Sequence, residues 1–295
     1  MSTAGGGGPT FDLQSHSVHS DGLLAPADVV AAAARAGVQL MALSDHDTVD
    51  GVDEALEAGA REELAVVPAV EISAVHEGYE DLHILGYRVD HHHFRLTQRL
   101  SDFREDRVAR AEAMAERLSE LGWAVDEDAL AARRATGRPL GRPHLAAAVF
   151  SHPANQDRIR DEDFADAGAL LAAYLIPGAP AYKPRTFPTV PEAIEVIHEA
   201  GGVAVWAHPF WDMSSIPDVL SYIHLFGDWG IDGVEAFYPT HGRDQVLAVV
   251  DACERLGLLT TGSSDFHGPG HRLFASFLAF DLQGCEPVLG PIAEG

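Results

Sequence analysis

Short apolar runs alternate with helical patterns at both ends of this chain, and that alternation admits only a few folds. Residues 40–43, 65–70, 83–87, 203–206, 233–237 and 258–261 each read as a buried strand. Between them the spacing predicts helices over residues 26–36, 50–62, 191–200 and 243–256. Proline opens some of these helices, and Gly37, Gly201 and Gly257 stand just past the ends of three, which is the expected punctuation. Strands alternating with helices of this length imply an α/β domain built on a parallel sheet, open or closed into a barrel.

The middle breaks the alternation. Leu96, Leu100, Phe103, Ala111, Met114, Leu118 and Leu121 form one helical stripe running up to Gly122, and further helices are expected over residues 127–134, 144–150 and 162–174. We read residues 94–182 as a helical insertion, with the barrel domain formed by residues 11–93 and 183–285 and a flexible tail over residues 1–10. The tail lacks the basic and apolar parts of a secretory signal, and no apolar run approaches the roughly 18 residues of a membrane span. The cytoplasm is the resulting expectation. Only Cys253 and Cys285 are present, which excludes a disulfide framework and a cysteine zinc site. With 20 basic against 45 acidic side chains, the formal charge of −25 disfavours coating a long nucleic acid. The same charge suits a short, compact substrate.

Histidine is the unusual residue: there are 16, several beside acidic residues in short turns. DLQSHSVHSDG offers Gln14, His16, His19 and Asp21, and LSDHDT offers Asp45, His46 and Asp47. PAVEIS places Glu71 at the end of an apolar run, HILGY opens on His83, AHP carries His208, and SSDFHG carries Asp265 and His267. In α/β folds, side chains at the C-terminal ends of strands converge on one mouth. Histidine, aspartate and glutamate meeting there make the mixed nitrogen and oxygen set preferred by manganese, zinc or iron. Asp45 and Asp47 flank His46 and are expected to orient its imidazole rather than ligate.

This set resembles the PHP family, the polymerase and histidinol phosphatase domains, over nearly the whole chain. GRPHLA (residues 141–146), the AYKP run (residues 181–184) and the helix leading through AGG into AHP look like its small phosphoesterases acting on nucleoside 3′,5′-bisphosphates or short RNA 5′ ends. The resemblance implies a distorted seven-stranded β/α barrel holding two or three divalent metals (manganese, zinc or iron). One site would use His16, Glu71 and Asp265, with Gln14 where the family usually has histidine. A second would use Glu71 as a bridge with His83 and His208, and a third Asp21, His46 and His267. Gln14 would offer a neutral amide oxygen, a weaker ligand than imidazole. The implied reaction is in-line attack on phosphorus by a water acidified between metals that Glu71 bridges, with no side-chain nucleophile.

Phosphate also calls for protein cations. Arg142 and His144 open a predicted helix whose free N–H groups favour anions, and both are expected substrate contacts. Lys183, Arg185 and His241 are further candidates. His91, His92 and His93 read as a solvated linker, because consecutive side chains diverge; His19, His76, His152, His198, His224 and His271 read as surface or packing residues. The leading expectation is hydrolysis of a small nucleotide-like phosphomonoester. The alternatives are a metal-bearing structural module with weakened catalysis, a histidinol-phosphatase-like enzyme, or a metal hydrolase of C–N or C–O bonds.

Overall fold

The computed structural model describes residues 8–135 and 140–294, so the expected tail lies largely outside them. In chain order the elements are β1 (Phe11–Asp12), α1 (Pro26–Ala36), β2 (Leu40–Leu43), α2 (Val52–Glu62), β3 (Ala65–His76), β4 (Tyr79–Tyr87) and α3 (Phe94–Glu120). The insertion adds α4 (Glu127–Ala135), α5 (Arg142–Phe150), α6 (Gln156–Asp161) and α7 (Ala167–Tyr174). Then follow α8 (Val190–Glu199), β5 (Val203–Trp206), α9 (Ile216–Asp228), β6 (Gly233–Phe237), α10 (Arg243–Leu256) and β7 (Leu259–Gly262). No helix among the described residues is long and apolar enough to cross a membrane.

The seven strands form one sheet in sequence order. β1, β2 and β3 run parallel, as do β5, β6 and β7, but β4 is antiparallel to both of its neighbours. The expected seven-stranded barrel thus departs from a parallel sheet at β4. The cause is local: Glu77 and Gly78 both take positive φ, 44° and 91°, and such a pair closes a two-residue hairpin instead of a helical crossover. β3 consequently extends to His76, and His83 lies inside β4 opposite Ser73 rather than opening a strand. Leu13 N–H donates to Gly262 O at 3.2 Å and His16 N–H to Phe266 O at 2.8 Å, so the first and last strands meet and the barrel is nearly closed.

The helices follow their sequence signals. α1 starts on Pro26 and stops at Gly37, whose φ of 84° is left-handed and opens its N–H to the carbonyls of Ala33 and Ala34. α8 carries a capping box in which Thr189 and Glu192 satisfy each other's backbone N–H groups. Val29, Val30 and Ala33 of α1, Met41 and Leu43 of β2, and Ala55 and Ala58 of α2 pack into one apolar cluster.

The chain divides into two compact units, Asp102–Phe187 and the remainder. The barrel unit is therefore longer than expected at the first junction, running to Ser101, and shorter at the second, where it resumes at Pro188. Arg95 and Arg99 of α3 pair with Glu199 and Glu192 of α8, holding the first two turns of α3 on the barrel. Phe187 meets Phe103 edge to face, with centroids 5.0 Å apart, and residues 183–187 belong to the insertion unit. At the C-terminal side, Val288 exchanges hydrogen bonds with Thr260, so the barrel unit runs past residue 285. The insertion has its own core of Met114, Leu118, Trp123, Leu145, Val149 and Leu170, fed by the stripe read from the sequence.

Candidate metal centre

The mouth is assembled from segments that the barrel brings together. The turn after β1 supplies Gln14, His16 and Asp21. It folds back sharply, because a Cβ on Gly22 would run into the His16 carbonyl. The segment after β2 supplies His46, β3 and β4 supply Glu71 and His83, and the turns after β5 and β7 supply His208, Asp265 and His267. Asp47, His208 and Asp265 have φ of 52°, 28° and 54°. Non-glycine residues held there cost about 1–3 kcal/mol each, strain that tends to gather at functional sites.

Glu71 is the hub, fully buried, with its two oxygens facing different partners. Oε1 lies 2.6 Å from His83 Nδ1 and 3.2 Å from His208 Nε2. Oε2 lies 3.1 Å from His16 Nε2 and 3.7 Å from His46 Nδ1. His16 Nε2 is also 3.1 Å from Asp265 Oδ1, while Asp21 stands 3.3 Å from His267 Nε2 and 3.7 Å from His46 Nε2. His16 is stacked between His46 and His267, with centroids 4.6 and 4.3 Å away. The structure thus brings together every histidine, aspartate and glutamate expected as a ligand.

Electrostatics follow from this crowding. Burial pushes the Glu71 carboxyl up, but His46, His83, His16 and His208 outweigh it and hold the group well below the usual carboxylate range. Asp21 and Asp265 are likewise lowered by their imidazole neighbours against burial. His16 Nε2, His46 Nδ1 and Asp265 Oδ1 are buried without a hydrogen-bond partner. Buried polar atoms left so are costly, and lone pairs converging from imidazoles and carboxylates fit divalent metal ions.

Several expected roles change. Gln14 is fully buried beside Glu71, but its Nε2 donates to Glu71 Oε2 at 2.7 Å while its Oε1 accepts from Ser263 Oγ at 3.2 Å. The amide oxygen expected as a ligand faces the Ser263 hydroxyl, which also lies 2.6 Å from Glu235 Oε1. Asp45 does not orient His46; it accepts from Ser17 N, Ser17 Oγ and Ser20 Oγ, at 2.6 to 2.7 Å, and so shapes the turn that carries His16 and Asp21. Asp47 accepts from Ser73 N at 3.0 Å and fastens its segment to β3. His241 is buried, bonded through Nδ1 to Ala236 O at 3.0 Å and packed between Tyr238 and Phe210, and it is not among the side chains that line the mouth. Burial lowers its pKa to about 4.

The insertion candidates lie in the second unit. Arg142 is the first residue of α5, and His144 caps that helix by accepting Gly141 N–H on Nδ1 at 3.1 Å. Burial and Arg133 lower the His144 pKa. Arg185 is buried and donates from Nε to Phe187 O, a structural role; the Lys183 carbonyl accepts from Arg110. Of the histidine triplet, His91 and His92 converge on Asp53 Oδ1, at 2.9 and 3.4 Å, so they are not simply solvated.

Sequence reasoning missed one wall of the mouth. A cavity of about 570 Å³ has the metal-centre side chains at its floor and Trp211, His271, Arg272, Leu273 and Phe274 around it. His271, expected as a surface or packing residue, stacks on Phe274 with their planes 7° apart. Tyr238 donates to Asp265 Oδ2 at 2.7 Å, and Glu235 accepts His208 N–H at 2.9 Å; both are buried supports. The runs HPFW and GHRLF beside His208 and His267 were the available signal, but neither contains a ligand-type spacing.

Comparison with known proteins gives a consistent picture. The PHP domain profile matches residues 12–166. The chain is 33% identical over 263 residues to the 3′,5′-nucleoside bisphosphate phosphatase of Chromobacterium violaceum, covering 88% of each protein. It is 31% identical over 259 residues to a 5′-3′ exoribonuclease of Haemophilus influenzae, covering 88% of this chain and 90% of that one. Among solved structures, a Bifidobacterium adolescentis protein assigned as a metal-dependent phosphoesterase superposes with a TM-score of 0.70 at 28% identity, over 90% of this chain and 91% of that one.

Proposed function

The chain belongs to the PHP domain family, and on that premise we propose that it is a metal-dependent phosphoesterase acting on a small nucleotide-like phosphomonoester, either a nucleoside bisphosphate or the 5′ end of a short RNA. The observation that carries this reading is Glu71, whose two oxygens face two separate sets of imidazole nitrogens. A carboxylate so divided is placed to bridge two cations. Two or three divalent ions, manganese, zinc or iron, would be held by His16, Glu71 and Asp265, by Glu71, His83 and His208, and by Asp21, His46 and His267. When bound, such ions supply Lewis-acid charge to phosphoryl oxygens and acidify water.

The protein's own residues do the rest. Gln14 steadies Glu71 through its N–H, and Tyr238 steadies Asp265 through its hydroxyl. Glu235 fixes the backbone turn at His208, and Asp45 the turn of His16 and Asp21. The ligand groups are thereby pre-positioned, so little reorganisation accompanies the change in phosphoryl charge. Arg142 and His144 are proposed phosphate contacts. The charge of −25 supports short substrates over long polymers, and the cytoplasm is the proposed location.

The test is phosphate release by the purified chain loaded in turn with manganese, zinc or iron. Nucleoside 3′,5′-bisphosphates and 5′-phosphorylated oligoribonucleotides should be hydrolysed, and histidinol phosphate much more slowly. Faster turnover of histidinol phosphate, or no phosphate release with any metal, would overturn the reading.

A further inference from the structure

We propose that the mouth carries a base-and-phosphate shelf, on which Trp211 stacks the nucleobase of the substrate and Arg272 holds a phosphate other than the one hydrolysed. The inference rests on the nucleotide phosphoesterase reading above and specifies which part of the mouth reads the nucleotide.

The first observation is an aromatic ring out of place. Trp123 and Trp206 are buried, but Trp211 is 50% exposed although it stands three residues after His208 at the rim of the metal centre. Its ring centroid lies 6.3 Å from His208 and 5.8 Å from Phe274. A large apolar ring kept in water beside the reacting floor offers a flat face to a planar ligand, and stacking on aromatic side chains is how proteins hold unpaired bases.

The second observation is charge. Arg272 is the only lysine or arginine lining this cavity, and it stands exposed in a chain with 45 acidic residues. The structure gives its guanidinium no ion pair among the described residues. The turn bearing it is nonetheless fixed: His271 Nδ1 accepts Phe274 N–H at 3.1 Å, and the two rings stack 5.2 Å apart. A guanidinium on a braced turn at the edge of an anion-binding mouth suits bidentate contact with a phosphate. The cavity, about 570 Å³, falls within the roughly 300–1,000 Å³ usual for small-molecule sites, so a base, a sugar and a second phosphate can share it. A bare sugar phosphate would leave both Trp211 and Arg272 unused.

The test compares adenosine 3′,5′-bisphosphate, AMP and ribose 5-phosphate as substrates of the manganese-loaded enzyme. Trp211→Ala should lower the ratio of kcat/KM for adenosine 3′,5′-bisphosphate over ribose 5-phosphate by roughly 5- to 100-fold, through KM, and Trp211→Phe should recover most of it. Arg272→Ala should lower the ratio for the bisphosphate over AMP, with partial recovery in Arg272→Lys. Binding is read separately: adenosine 3′,5′-bisphosphate should quench indole fluorescence of the wild type, and the quench should vanish in Trp211→Ala. Hydrolysis of nucleotides with unchanged ratios in both alanine variants would overturn the shelf and leave the phosphoesterase reading standing. Absence of the quench would overturn it too, even if the reaction itself proved to be a different one.

Discussion

Glu71 concentrates the site in a single carboxylate, and its replacement separates metal binding from folding. Glu71→Gln keeps shape and volume but loses the charge that four imidazoles surround. Changing a group that merely supports a metal ligand costs about 10- to 100-fold in affinity or activity, and a bridging ligand should cost more. We expect metal content to fall by at least one ion per chain and turnover by more than 100-fold, with an unchanged circular dichroism spectrum; elemental analysis beside a phosphate-release assay measures both. Gln14 supports the opposite kind of experiment. Its side chain already touches Glu71, so Gln14→His adds an imidazole at the pocket of His16, Glu71 and Asp265. The tightest gain expected is about tenfold, or about 1.4 kcal/mol, at that one metal. Calorimetric titration of both proteins decides it, and equal affinities at every site would show that position 14 does not take part in holding metal. The candidate ligand residues were legible in the sequence, because histidine and carboxylate at strand ends announce their chemistry. The orientation of the Gln14 amide was not, since it depends on Ser263, which stands 249 positions away.

At the level of elements, punctuation by proline and glycine located α1 and α10 at their observed ends, and the four-residue runs at β2 and β5 stood alone as strands. The β3–β4 hairpin escaped the same reading. Polar residues cut its apolar runs short, Glu71, Ser73 and His76 in β3 and Glu80, Asp81 and His83 in β4, so the sequence showed only the apolar ends of the two strands. The helix α9 was missed as well: Ser215 caps it, but HPFWDMSS just before it reads as an irregular loop. The short α5 carries the element-scale prediction. Arg142 opens it, at the positive end of the helix dipole, which favours an anion. Arg142→Ala should raise KM for a nucleotide substrate by about tenfold or more, as expected for a lost charge-assisted contact, and leave metal content untouched. Unchanged kinetics with several nucleotides would remove α5 from substrate binding.

For the molecule as a whole, stability carries a pH signature that lies outside the metal centre. His241 has its pKa lowered from 6.5 to about 4 by burial, so the unfolded chain binds a proton that the folded chain refuses. Its contribution is therefore complete above pH 6.5 and is lost as pH falls from there toward 4. Between pH 7 and pH 5 this amounts to about 2 kcal/mol. Urea midpoints at both pH values should show the loss in the wild type, and His241→Gln should flatten the difference; an identical slope in the variant would assign the acid sensitivity to other groups. The closure of the barrel has a further consequence, for the time at which the protein becomes competent. Gln14 and His16 pair with the backbone at Phe266, and His16 meets Asp265, so the two flanks of the site are separated by almost the whole span of the barrel. At roughly 5–20 residues per second on the ribosome, the early histidines wait on the order of 12 to 50 s for the aspartate that completes their pocket. A growing chain thus meets the cellular metal pool with loose, low-affinity donors, and selective loading becomes an event of the finished polypeptide.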